Sequence, residues 1–69
     1  MENVYKTVEL TGTSPDSIED AVRNAISLSA KTIRNMKWFE ITDLRGHIDN
    51  NHVDKWQVTL KLSFEVDRE

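Results

Sequence analysis

The sequence predicts an α+β fold of order β-α-β-β, in which a three-stranded antiparallel sheet wraps around one amphipathic helix. Three observations predict it. Ile18, Val22, Ala25, Ile26 and Ile33 recur at a spacing near 3.6, the period of one helical face. Trp56, Val58, Leu60, Leu62, Phe64 and Val66 alternate without a miss against Gln57, Thr59, Lys61, Ser63 and Glu65, the period of a strand with one buried face. Asp49-Asn50-Asn51-His52 joins that run to an earlier strand-like one, and these residue types tolerate the positive φ of a tight hairpin turn.

The first strand is expected from about Asn3 to Thr11, with Val4, Val8 and Leu10 on one parity and Tyr5, Thr7, Glu9 and Thr11 on the other. Lys6 interrupts the apolar row, as suits an edge strand. Gly12-Thr13-Ser14-Pro15 then breaks it, and a helix follows up to Asn35. Ser14 suits a cap with Pro15 at the first helical position, while Asp16 with Glu19 offers a second cap one turn later. Glu19 and Asp20 near the start, with Lys31 and Arg34 near the end, match the helix dipole. The second strand runs from Lys37 to about Ile48 and the third from Val53 to Val66. Phe39 and Ile41 share a parity and form the expected core pair against the helix. Leu44 and Ile48 fall on the other parity, and Gly46 is the candidate bulge that switches faces. Length and alternation place the third strand in the middle, leaving one sheet face bare.

Sixty-nine residues bound the chain to a single domain, 1–69. A chain this short buries only about 60% of the surface its unfolded form exposes. It has no cysteine, which removes disulfides and thiolate chemistry, so self-association is the expected remedy. A net charge of −3 and scattered basic residues argue against nucleic acid. No stretch approaches the roughly 20 apolar residues of a membrane span. The start, MENVYKTVEL, lacks the pattern of a signal peptide, so a cytoplasmic location is expected.

Trp38 is the residue that does not fit a core. It stands on the parity opposite Phe39 and Ile41, with Glu40 and Thr42, which aims its indole away from the helix. A large aromatic on a polar face is the informative kind of exposure. It suits packing at a subunit interface or under the chain start, and it equally suits a stacking platform for a planar ligand. Gln57 points to the same face, where its carboxamide has the donor and acceptor needed to read a heteroaromatic edge. Arg45 offers a guanidinium for a phosphate, or a solvated charge. Trp56 belongs to the core parity, and Tyr5 suits either an interface or solvent. His47, Asp49, His52 and Asp54 invite a metal, but their spacing matches no familiar site and equally composes a polar turn. No serine stands in a nucleophile motif and two glycines cannot build a phosphate loop, so enzymatic chemistry is not expected.

Several blocks resemble the dodecin family, bacterial branch: Val8-Glu9-Leu10-Thr11-Gly12-Thr13-Ser14-Pro15-Asp16-Ser17, Lys31-Thr32-Ile33-Arg34-Asn35, Trp38-Phe39-Glu40-Ile41, Arg45-Gly46-His47-Ile48, and Trp56 through Phe64. The resemblance implies a hollow homo-dodecamer of 23 symmetry that binds flavins, riboflavin or FMN, in pairs at subunit interfaces. It matches Trp38 to the stacking tryptophan, Gln57 to the glutamine on the pyrimidine edge, and Arg45 to the pocket arginine. Coenzyme A is a weaker implied ligand, since Glu65 is acidic where a phosphate contact wants a base. The implied role is flavin storage and photoprotection without catalysis. The competing class is a cofactor-free interaction module using the aromatic sheet face, and a flavin-dependent oxidoreductase ranks third.

Overall fold

The alternating run near the end of the chain forms the central strand. The computed structural model describes residues 2–66; of the expected domain 1–69, Met1 and residues 67–69 lie outside the described residues. Its elements are β1 (Tyr5–Ser14), α1 (Ile18–Ser29), β2 (Met36–Asp49) and β3 (His52–Glu65). The sheet order is β1-β3-β2, with both pairings antiparallel. On β3, Val58, Leu60 and Leu62 are buried against Ala21, Val22 and Ala25 of α1. Val8, Leu10, Ile18, Ile26, Ile33 and Met36 pack around this cluster, so the expected helical stripe faces the sheet. Each fully buried aliphatic side chain contributes about 1.5–3 kcal/mol.

β1 runs through Gly12 rather than breaking there. A Cβ at Gly12 would overlap the carbonyl oxygen of Ala21 and lie 3.0 Å from the Cβ of Ala25. The missing side chain is what lets α1 lie directly on β1. Beyond it, the buried Ser14 hydroxyl accepts from the backbone N–H of Asp16 (3.0 Å) and of Ser17 (3.4 Å), turning the chain off the sheet. Ser17, in extended conformation, is the N-cap, and its Oγ accepts from the N–H of Asp20 at 3.0 Å. The helix therefore begins one turn later than a Ser14 cap would place it.

The helix also ends early, at Ser29 rather than Asn35. Bonds from Lys31 to Leu28 (3.2 Å) and from Thr32 to Ser29 (3.1 Å) tighten the backbone to three-residue spacing. Asn35, at φ 63°, then turns the chain into β2, and its carbonyl accepts from the N–H of Glu65 at 3.0 Å. β-branched Thr32 and Ile33 are weak helix formers at that point. Lys31 and Arg34 consequently fall outside the last helical turn, which carries no base.

β2 departs most from expectation. The helix lies over β1 and β3, and of β2 only Met36 packs against the core beneath it. Phe39 and Ile41 lie opposite Leu62 and Leu60, on the helix side of the sheet, yet both stay 45% exposed because the helix does not lie over them. The bulge is at Thr42, where the register shifts between Ile41 and Asp43, and the ladder runs unbroken through Gly46. Leu44 thereby returns to the helix side of the sheet, opposite Val58. A further shift occurs between Met36 and Trp38, and another between His47 and Ile48. Asn50 and Asn51, at φ 52° and 66°, make the two-residue hairpin turn. Trp56 is half-buried between Ser14 and Gly46 rather than fully enclosed.

Candidate functional site

The sheet face away from α1 is polar because β1 and β3 align their hydroxyl-bearing residues in register. Thr7 and Ser63 pair through their hydroxyls at 2.9 Å, and Thr11 and Thr59 at 3.0 Å. Thr42, the bulge residue, donates to the carbonyl oxygen of Thr59 at 3.3 Å. Trp38 stands at one end of this face, opposite Ser63 and half exposed. Tyr5 reaches it from β1, with ring centroids 4.8 Å apart and planes tilted by 58°. Such a tilted contact is favourable between aromatic rings. Tyr5 is thus a neighbour of Trp38, and Ser63 between their strands is buried.

At the other end of the same face, Arg45 and Gln57 sit directly opposite each other. The bulge at Thr42 brings them there, since it returns Asp43, Arg45 and His47 to the polar face while Leu44 turns the other way. Arg45 Nη2 donates to Asp43 Oδ2 at 2.6 Å, an exposed pair on one strand. Gln57 leans instead toward His47, whose Nε2 lies 2.9 Å from Gln57 Oε1.

The structure brings Arg45 and Gln57 together and keeps Trp38 apart. Ser63, the partner of Trp38, is six residues from Gln57 along β3, or about 20 Å at the strand rise. A planar ring about 10 Å long cannot touch the indole and the carboxamide of one chain at once. The three residues can line one ligand only if two copies of the chain contribute. Among the described residues, no group of three or more His, Cys, Asp or Glu side chains is placed to hold a metal ion. His52 lies at the hairpin opposite Asp49, and His47 is engaged with Gln57. No helix among the described residues is long and apolar enough to cross a membrane.

Residues 4–67 match the family model for Dodecin. The chain belongs to the dodecin family. A dodecin from Thermus thermophilus is 40% identical over 67 residues, covering 97% of both chains. The structure of dodecin from Streptomyces coelicolor superposes with a TM-score of 0.92 at 43% identity, over 97% of this chain and 96% of that one. The calcium dodecin of Mycobacterium tuberculosis, described as calcium-chelating, shares the fold at a TM-score of 0.80 and 23% identity, over 93% and 91% of the two chains. The β-α-β-β dodecin fold is therefore that of this chain.

Two pairings on this polar face were not legible in the sequence. Asp43 pairs with Arg45 only because of the bulge, and His47, weighed as a metal ligand, is instead the partner of Gln57. Parity offered a signal for Tyr5, which shares the polar side of β1 with Thr7 and Glu9; its meeting with Trp38 depends on β3 lying between their strands.

Proposed function

We propose that this dodecin-family chain stores a flavin, FMN or riboflavin, between copies of itself in a homo-dodecamer of 23 symmetry. The observation that carries this reading is the half-exposed Trp38 on a polar face, about 20 Å from Arg45 and Gln57. An indole presented this way is a stacking surface for an isoalloxazine, whose flat π system gains dispersion and quadrupole energy against it. Gln57 offers the carboxamide that complements the alternating carbonyl and N–H groups of the pyrimidine edge. Arg45 adds a cation suited to a ligand phosphate or carbonyl. Assembly is supported by Phe39, Ile41, Leu44, Ile48 and Val53, apolar β2–β3 side chains that the chain itself leaves open.

Storage follows from the chemistry of the contact. A ring enclosed between indoles is kept from reactants, and an electron passed from Trp38 to the photoexcited ring returns to the indole radical, dissipating the excitation without net chemistry. The role is sequestration and photoprotection, with no turnover. Titration with FMN, followed by flavin emission and by light scattering on a sizing column, tests it. Strong quenching on a dodecameric particle, lost in Trp38→Ala, is the expected result. Unchanged emission with the native protein favours the cofactor-free interaction module. Steady oxidation of a reduced nicotinamide by the loaded protein overturns the storage role in favour of an oxidoreductase.

A further inference from the structure

His47 lies on the polar face beside the Arg45–Gln57 pair, two residues further toward the hairpin, opposite Lys55. Its Nε2 is 2.9 Å from Gln57 Oε1. A carboxamide oxygen only accepts, so this contact is a hydrogen bond only if the Nε2 carries a proton. The neutral Nε2–H tautomer and the imidazolium both satisfy that condition. Arg45, the direct cross-strand neighbour of Gln57, is turned to Asp43, which leaves His47 as the side chain holding the carboxamide.

We infer that His47 is a positioning residue that anchors Oε1 of Gln57 and so fixes the orientation in which the carboxamide meets a ligand edge. The inference rests on the flavin reading above. A free carboxamide turns about its last torsion and presents either order of donor and acceptor, because that torsion is broad. With Oε1 tethered, the order of donor and acceptor is fixed, with the NH2 group on the side away from the His47 contact. The oxygen keeps a second lone pair for a ligand N–H, so anchoring does not exhaust its capacity. His47 thus reduces the ordering that Gln57 must undergo when a ligand arrives, which is where preorganisation contributes to affinity.

A double-mutant cycle on the full chain tests this, read as FMN dissociation constants from emission quenching. His47→Leu is expected to weaken FMN about 3- to 10-fold, the scale of one net hydrogen bond. In a Gln57→Leu background the same change is expected to cost less than about 1.5-fold, since the two residues act as one unit. His47→Gln, whose amide N–H extends to a similar reach, is expected to restore affinity to within about twofold of the native protein. Equal losses in both backgrounds, or no loss in either, overturn the inference while leaving the flavin reading intact. In the flavin-free protein, nitrogen NMR is expected to show an Nε2–H at His47 whose signal shifts in Gln57→Leu. An unprotonated Nε2, or a signal that Gln57→Leu leaves unchanged, overturns the anchor independently of any ligand. If native protein binds neither FMN nor riboflavin, the flavin reading fails, and this imidazole signal alone decides whether the anchor exists.

Discussion

The two ends of β3 occupy different surroundings. Between Val58 and Leu62 the strand is flanked on both sides and roofed by α1, and its inward side chains are almost completely enclosed. Between His52 and Lys55 it pairs only with β2, and every residue from Lys37 through Lys55 is exposed. One end is finished by the chain's own packing, while the other is an arm whose apolar residues the chain leaves exposed. Identical local rules, alternation and hairpin pairing, yield an enclosed core or an open apolar face according to whether the helix lies over it.

That contrast can be broken most sharply at the enclosed end. Leu60→Ala, which empties a fully buried position, is expected to cost about 4 kcal/mol, read as the urea midpoint at fixed protein concentration. Fixing the concentration matters because self-association adds stability by mass action. Gly12→Ala drives a methyl group into the Ala21 carbonyl and should lift α1 from β1 at a cost of about 3 kcal/mol, seen in the same unfolding curve. Ser17→Ala removes the N-cap acceptor and should cost about 1 kcal/mol, with loss of helical circular dichroism before the main transition. On the arm, Ile41→Ser should change the fold of the protomer by less than about 1 kcal/mol. Its helical signal should be retained while light scattering shows a smaller particle. Retention of the native size would show that the arm is not where copies meet.

The same contrast explains what could be read from sequence. The helix face, the alternation of β3, the antiparallel order and the hairpin asparagines were legible because each rests on short-range periodicity or backbone preference. Phe39 and Ile41 were expected in the core, and their parity was right; what parity cannot express is how far sideways a 12-residue helix reaches across three strands. Gly12 looked like a break because glycine commonly punctuates strands, yet the close approach of Ala21 and Ala25 is a tertiary demand. Gly46 is the position the sequence marks for a bulge, but the bulge is at Thr42, since a bulge needs an unpaired residue and not a flexible one. The outward parity of Trp38 and of Gln57 was read correctly. The tether from His47 to Gln57 was not, because it links diagonal neighbours on different strands and depends on register.

The spacing of Trp38 and Gln57 along one face has a further consequence. A guest gripped by both is clasped by separate molecules, so its occupancy depends on total protein concentration as well as on its own. On the storage reading proposed above, dilution that separates the copies would also release what they hold.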